Sequence, residues 1–316
     1  MFLYNSPRVF TFSDNYRIIY YHVVSNVRKS YQFGHLSVSD FDSQIDFFKK
    51  RYKIISLKEA VNRSKNGLSL SNHLSITTDD GFIENFTNIA PILLKKKVTA
   101  TFFLIENCID NLDLMWRNKL LYIVNKCDKN LELLAESVES KFGIKPIKKS
   151  ESLLDWSERT WPMDMKDIIS NFLWEISDLE NLDNFLEKQT PYMSTNQIRV
   201  LLNNGFDIGI HTKSHPFCNK LEFDVLNEEI IASSRRLGKK FNRKVNFASY
   251  PFGARPSFNL EKKLITKSQI QVLLGINSKI TNEREPFKWE RDKQDSSYNS
   301  VNWLRFNCLP YLKSLL

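Results

Sequence analysis

Short apolar runs alternate along the chain with longer segments in which apolar residues recur every three or four positions. Runs of about four to eight apolar residues are typical of buried strands, whereas the wider spacing is typical of helices packed on one face. The alternation begins near residue 17 and resumes after residue 205. It predicts strands over residues 17–24, 52–56, 74–78, 98–105, 206–211, 245–250, 270–276 and 303–308.

Amphipathic segments between these strands are predicted as helices. One carries Phe41 and Ile45 and is expected to begin at Ser39 or Asp40. Strands that alternate with helices favour an α/β fold, with a parallel sheet or barrel covered on both faces. Two further helices are predicted around residues 89–93 and 226–237.

Residues 107–194 interrupt the alternation. This stretch is rich in Leu, Asn, Lys and Glu, and Ile168, Phe172 and Ile176 have helical spacing. We therefore expect a mostly helical insertion, with residues 1–106 and 195–316 forming the two parts of one barrel. Two roles stay open for it: a cover for one side of the sheet, or a lid or substrate-selecting subdomain over a site.

Composition excludes several classes of protein. With 42% hydrophobic and 26% charged residues in 316, the chain is neither disordered nor of low complexity. The net charge of +9 favours a polyanionic partner, although a Lys-rich composition accounts for it equally well. No Arg-rich stripe is present, so nucleic acid is not expected as a partner.

Two further absences concern location. The sequence has no secretory signal pattern and no apolar stretch of about 18 residues. Its four cysteines have no paired metal-binding spacing. A cytoplasmic location is therefore predicted, with peripheral contact to an anionic membrane surface as a variant.

Candidate chemistry begins where the strand over residues 74–78 ends. Asp79 and Asp80 are followed by Gly81, which permits a tight turn. Adjacent side chains diverge on an extended backbone, so one carboxylate can bind a cation while the other takes a proton. The alternative is a simple turn in which Asp80 caps the next helix.

His211 and His215 follow another predicted strand. Imidazoles four positions apart can bind one metal ion, although surface helices also carry such pairs by chance. With Asp80 they would form a site of two histidines and one carboxylate, which suits Zn²⁺ and also Fe²⁺, Mn²⁺ or Co²⁺. A third segment, Tyr250 to Gly253, turns at Pro-Phe-Gly after an apolar strand.

The three segments read TTDDG at residues 77–81, HTKSH at 211–215 and YPFG at 250–253. In this order the chain resembles the polysaccharide deacetylase family, also called NodB-homology domains or carbohydrate esterase family four. Flanking sequences such as IIYYHVV at 18–24 and NIAPILLKKKVTATFFL at 88–104 extend the likeness. The resemblance implies a distorted (β/α) barrel with fewer than eight complete repeats, which hydrolyses an N-acyl group from an amino sugar.

The resemblance also implies residue roles. Asp79 matches the general base, and Asp80, His211 and His215 match the residues that bind one divalent metal ion. Zn²⁺ is the first expectation for that ion, with Mn, Co, Fe or Ni as alternatives. The backbone N–H of Phe252 is expected to stabilise the oxyanion, with Tyr250 beside it at the substrate.

Three departures from the family pattern bear on mechanism. Thr78 replaces the usual Phe, Ser249 replaces the Arg that orients the base, and no histidine follows His215 to act as the usual acid. We expect His22, near the end of the first strand, to supply the acid, although a buried core histidine is the alternative. Arg305 is a second candidate for holding substrate or orienting the base.

The expected activity is a metal-dependent amidohydrolase that removes acetyl, or formyl, from an amino sugar of a bacterial surface glycan or its precursor. A phosphate-linked sugar would suit the positive charge. The alternative is a glycan-binding or scaffold protein that keeps the fold but has lost efficient turnover. The sequence leaves the oligomeric state open.

Overall fold

The computed structural model of the chain describes residues 16–148, 150–276 and 288–295. Within these ranges one sheet contains the strands β1 (Arg17–Tyr21), β2 (Lys53–Ile54), β3 (His73–Thr78), β4 (Thr101–Leu104), β5 (Asp207–Ile210), β6 (Phe247–Ser249), β7 (Val272–Leu274) and β8 (Asp292–Lys293). All pairs are parallel, in the order β7-β6-β5-β4-β3-β1-β8, and β2 pairs with the start of β3.

Helices cover the sheet because its strands bury apolar side chains on both faces. They are α1 (Val38–Arg51), α2 (Leu57–Lys65), α3 (Ala90–Lys95), α4 (Trp116–Lys126), α5 (Leu131–Phe142), α6 (Leu153–Thr160), α7 (Lys166–Ile176), α8 (Leu182–Gln189), α9 (Thr195–Asn203), α10 (Phe223–Leu226), α11 (Ser233–Phe241) and α12 (Phe258–Thr266). A π-helical segment, Asn227–Ala232, joins α10 to α11. None of the helices in the described ranges is both long and apolar enough to cross a lipid bilayer.

The segment from residue 288 to 293 links the two edges of the curled sheet. On one side the Gly275 N–H donates to the Trp289 carbonyl at 3.0 Å, and the Arg291 N–H donates to the Gly275 carbonyl at 3.1 Å. On the other side β8 pairs with β1. The curled parallel sheet with outer helices confirms the predicted distorted (β/α) barrel. The carboxyl ends of its strands therefore converge on one rim.

Most of the predicted strands are present at the predicted positions. Each observed strand is shorter than its predicted range or nearly equal to it in length. The predicted strand over residues 303–308 lies outside the described residues. Strand β8 was not predicted, because its sequence is charged. The predicted start of α1 is wrong: Ser37, rather than Ser39 or Asp40, caps this helix, since its hydroxyl accepts the Asp40 N–H at 3.0 Å.

Helices α4 to α8 lie within the segment predicted as an insertion. They pack around a second core that includes Trp116, Trp156 and Phe185 and that also contains Val23 and Phe82 from the barrel part of the chain. The predicted apolar face of α7 is shifted by one residue, because Ile168 is 56% exposed while its neighbour Ile169 is buried. The division of the chain at residues 107 and 194 stays a prediction.

Candidate functional site

A cavity of about 360 Å³ opens at the rim where the strands end. It collects side chains from β1, from the loops after β3, β5 and β6, and from the segment after β8. Arg305, the candidate for holding substrate or orienting the base, lies outside the described residues. The other predicted site residues all line the cavity: His22, Asp79, Asp80, His211, His215, Tyr250 and Phe252.

Asp80, His211 and His215 form a buried cluster in which one ligand atom from each lies within 4.8 Å of the others. The Oδ1 atom of Asp80 is 3.4 Å from Nε2 of each histidine. This buried oxygen has no hydrogen-bond partner among the described residues. Although burial favours the neutral acid, contact with His215 holds the pKa of Asp80 below its ordinary value. Converging ligand atoms around an unpartnered carboxylate oxygen fit a divalent cation.

The His211 ring is held in the form that a metal site needs. Its Nδ1–H donates to the carbonyl oxygen of Ser249 at 3.0 Å, and the Ser249 hydroxyl lies 2.7 Å from the same nitrogen. Burial lowers the pKa of His211 to about 4, so the ring is neutral at pH 7. The lone pair on Nε2 is therefore left for a cation. Ser249, a departure from the family pattern, thus supports a neighbouring ring.

Left-handed backbone conformations concentrate at this rim. Asp80, Thr212, His215 and Phe252 all have positive φ, between 58° and 69°. Such conformations cost about 1–3 kcal/mol each in non-glycine residues, so surrounding contacts must hold them. One such contact is the His215 N–H, which donates to the Thr212 hydroxyl at 2.9 Å. This bond helps to hold the tight turn between His211 and His215.

Asp79 is bound by an arginine that the sequence did not reveal. Arg291 donates from Nη1 and Nη2 to the two carboxylate oxygens at 2.7 and 2.8 Å. Both side chains are buried, and Arg291 is fully so. Burial alone would raise the pKa of Asp79, but the Arg291 charge holds it below its ordinary value. The carboxylate is therefore ionised and fixed in orientation.

His22 is paired with Asp295, a residue that the sequence also did not reveal. The His22 Nδ1–H donates to Asp295 Oδ2 at 2.5 Å, and the His22 backbone N–H donates to the same oxygen at 3.1 Å. Burial opposes the imidazolium charge, but the carboxylate outweighs it and raises the pKa of His22 to about 9. The ring is therefore protonated at pH 7, with Nε2 as the nitrogen left for the cavity.

Thr78, the departure in the first motif, is linked to the backbone of His22 through Asn85. Its hydroxyl donates to Asn85 Oδ1 at 2.8 Å, and Asn85 Nδ2 donates to the His22 carbonyl at 2.8 Å. An apolar residue at position 78 could not make the first of these bonds. The threonine therefore helps to fix the backbone of His22.

The Pro251–Gly253 turn also contributes to the cavity wall through Phe252 and Gly253. The backbone N–H of Phe252 has no hydrogen-bond partner among the described residues. The Phe252 ring stacks on Phe217 at 4.0 Å between centroids and lies 4.7 Å from the His215 ring. Tyr250 is fully buried beneath the cavity. The turn thus offers one free donor beside the cluster.

Comparison with known proteins shows similarity to one family over part of the chain. A sequence model described as Polysaccharide deacetylase matches residues 179–268, which include the second and third motifs. The predicted family resemblance is confirmed. The match begins inside the segment predicted as an insertion, and the Asp79–Asp80 motif lies outside it. No curated protein matches this chain.

Solved structures share the fold at low sequence identity. The deacetylase PplD of Streptococcus pyogenes, in complex with acetate, has a TM-score of 0.60 at 14% identity, over 92% of this chain and 97% of that one. IcaB from Ammonifex degensii has a TM-score of 0.59 at 14% identity, over 93% and 96%. A de-N-acetylase from Aggregatibacter actinomycetemcomitans has a TM-score of 0.57 at 14% identity, over 92% and 100%. The chain therefore shares the fold of these proteins along nearly its whole length.

Proposed function

We propose that this protein is a metal-dependent hydrolase that removes an acetyl or formyl group from the nitrogen of an amino sugar in a bacterial surface glycan or its precursor. One observation carries the proposal. An arginine-bound carboxylate, Asp79, lies in the same cavity as the cluster of Asp80, His211 and His215. The family match and the acetate complex of PplD support it.

Asp80, His211 and His215 would hold one divalent ion. Two neutral imidazoles and a carboxylate suit Zn²⁺ first, with Mn, Co, Fe or Ni as alternatives. When bound, such an ion polarises an amide carbonyl and makes a nearby water more acidic. The chain's own residues supply the proton transfers.

Asp79 would act as the general base that takes a proton from the attacking water. Its lowered pKa keeps it ionised, and the two bonds from Arg291 fix the plane of its carboxylate. A base fixed in orientation loses little entropy at the transition state. Arg291 is thus a positioning residue, and it stands in for the arginine that Ser249 replaces.

His22 would act as the general acid that protonates the departing amine. Asp295 keeps the ring charged near neutral pH, so the proton is available when the C–N bond breaks. The free N–H of Phe252 would donate to the oxygen that gains negative charge in the tetrahedral transition state. Together these groups account for both proton transfers without a late histidine.

The test is release of free amine from a panel of N-acetylated and N-formylated amino sugars and their oligomers. Asp79→Asn is expected to lower the rate by about a thousandfold or more, because it removes the base. Asp207→Asn is the matched control, since Asp207 is a carboxylate at the opposite end of β5 from His211. Equal rates for wild type and Asp79→Asn would refute the proposal.

A binding or scaffold protein was the alternative, motivated by the missing late histidine and by Ser249. The contacts of His22 and Arg291 favour catalysis, because they supply an acid and a fixed base. Specific binding of the glycan panel without amine release would support the alternative. A phosphate-linked substrate, a membrane-surface contact and a cytoplasmic location stay sequence predictions.

A further inference from the structure

The two histidines of the candidate metal site are held in different ways. The Nδ1–H of His211 donates to the carbonyl oxygen of Ser249. By contrast, the buried Nδ1 atom of His215 has no hydrogen-bond partner among the described residues, while its Nε2 atom lies 3.4 Å from Asp80. The orientation of the His215 ring therefore depends on its packed neighbours and on its backbone, which has a strained φ of 60°.

The backbone of His215 is bound by a tryptophan of helix α4. Trp116 is fully buried, and its Nε1–H donates to the carbonyl oxygen of His215 at 2.9 Å. The indole packs beside Phe252, with 6.4 Å between ring centres, and the Phe252 ring lies 4.7 Å from the His215 ring. Trp116 therefore restrains this histidine through its backbone and through a shared neighbour.

The residue before His215 is bound by a lysine of helix α7. Lys166 is buried, and its Nζ donates to the Ser214 hydroxyl at 2.8 Å and pairs with Asp167 at 2.9 Å. The Ser214 hydroxyl in turn donates to Glu229 at 2.6 Å. A buried ammonium group is costly unless its acceptors are correctly placed. Lys166 therefore favours one position of the turn.

The first half of the turn is bound by backbone groups that precede α4. The N–H of Glu106 donates to the carbonyl oxygen of Thr212 at 3.2 Å, and the N–H of Asn107 donates to that of Lys213 at 3.0 Å. Each of the four residues that follow His211 thus accepts a hydrogen bond from the stretch between β4 and β5. This continuous set of bonds fixes the turn to that stretch along its whole length.

We propose that Trp116 and Lys166 are positioning residues of the metal site, and that the stretch between β4 and β5 sets the geometry of its His215 side. The described lining of the cavity includes neither side chain, so both act through the turn rather than on the substrate. This inference rests on the proposed function, because it requires that His215 binds the ion. It gives the helical stretch a role besides the two that the sequence left open, a cover for the sheet or a lid.

The experiment titrates the metal-free full chain with Zn²⁺ in competition with a chelator of known affinity. Trp116→Phe keeps an aromatic ring but loses the N–H donor, and it is expected to raise the Kd for Zn²⁺ by about tenfold. Lys166→Met keeps an unbranched side chain but loses the ammonium group, and a similar rise is expected. Lys166→Arg, which keeps a charged donor, should fall between Lys166→Met and wild type.

Matched controls separate positioning from general stability. Trp156 is fully buried in the same core as Trp116, but its Nε1–H donates to the carbonyl oxygen of Lys145 at 2.8 Å. Lys119 is a second fully buried, ion-paired lysine of the helical stretch, and it makes no bond to the turn in the described structure. Trp156→Phe and Lys119→Met should destabilise the metal-free protein about as much as the test variants do. They should leave the Kd for Zn²⁺ within about twofold of wild type.

The outcomes are distinct. If Trp116→Phe and Lys166→Met bind Zn²⁺ no more weakly than their controls, the positioning role is refuted while the proposed function stands. The two substitutions act on different atoms of the turn, so either variant that folds is a sufficient test. If wild type binds none of the candidate divalent ions, the proposed function itself fails, and this inference falls with it.

Discussion

At the scale of single residues, two buried ion pairs set the charges of the proposed acid and base. Arg291 keeps Asp79 ionised, and Asp295 keeps His22 protonated. The pKa of Asp79 is lowered and the pKa of His22 is raised. This arrangement lets one site hold an ionised base and a protonated acid at the same pH. Each pair is therefore expected to control one side of the pH–rate profile.

Arg291→Met removes the charge that lowers the pKa of Asp79. The acid limb of the pH–rate profile should move to higher pH, because burial then favours the neutral carboxyl group. The rate at pH 7 should fall by about a hundredfold, since the carboxylate also loses its fixed orientation. The free energy of unfolding should fall by about 3 kcal/mol, because a buried charge is left unpaired.

Arg255→Met is the control for this change. Arg255 pairs with Glu261 and Glu290 away from the cavity, so its loss should lower stability without moving the acid limb. An unmoved acid limb in active Arg291→Met would contradict the assigned role of the pair.

Asp295→Asn tests the proposed acid. Wild-type activity should decline as pH rises through about 9, where His22 loses its proton. In the variant the pKa of His22 should fall toward its ordinary value of about 6.5, so the alkaline limb moves to lower pH. Activity at pH 8 should then drop by roughly tenfold or more, with little change at pH 6.

The His22–Asp295 pair also stabilises the folded protein, and this stabilisation depends on pH. Folding raises the pKa of His22, so the pair stabilises the folded protein fully below about pH 6.5, the ordinary pKa of histidine. This stabilisation disappears as the pH rises through the pKa of His22 in the folded protein. Denaturant unfolding at pH 6 and pH 9.5 measures this directly. A loss of stability in Asp295→Asn that was the same at both pH values would argue against a charged His22.

At the scale of elements, the turn from His211 to His215 is the part of the site most dependent on its supports. Glu229 accepts hydrogen bonds from the backbone N–H groups of Lys213 and Ser214, both at 2.9 Å, and from the Ser214 hydroxyl at 2.6 Å. One buried carboxylate thus satisfies three donors of the turn. The strained His215 backbone is held by these bonds and by Thr212.

Glu229→Gln should weaken metal binding by about tenfold, because residues behind the ligands set their orientation. Titration of the stripped protein with Zn²⁺ measures the change. Glu228→Gln is the matched control, since Glu228 is a partly exposed neighbour that pairs with the side chains of Lys213 and Arg236. Equal zinc affinity in the two variants would show that the turn needs no such support.

The sequence predicted the parts of the structure that local pattern determines. Apolar strands and three motifs placed Asp79, Asp80 and His211 correctly at one rim, because the carboxyl ends of parallel strands converge. Arg291 lies 212 residues from Asp79, and Asp295 lies 273 residues from His22. No local periodicity marks them, since their burial depends on partners from the opposite end of the chain. Only Ser249, which stands where the family pattern has the arginine that orients the base, pointed to a missing arginine.

At the scale of the whole molecule, residues 288–295 combine closure of the sheet with completion of the site. This segment bonds to β7 and to β1, and Arg17 pairs with Asp292 at 2.7 Å. It also brings Asp295 to the cavity and places the buried Arg291 against Asp79. The segment that closes the barrel therefore also supplies the partners of the proposed base and acid.

Acetate release from N-acetylglucosamine oligomers, measured together with metal content, tests both the metal dependence and the role of Asp79. Protein stripped by a chelator should be inactive, and one equivalent of Zn²⁺ per chain should restore the rate. Asp79→Asn should bind the same equivalent and stay inactive, because the ion and the base are separate groups. Release that persisted without metal, or that Asp79→Asn retained, would contradict a metal-dependent hydrolase with Asp79 as its base.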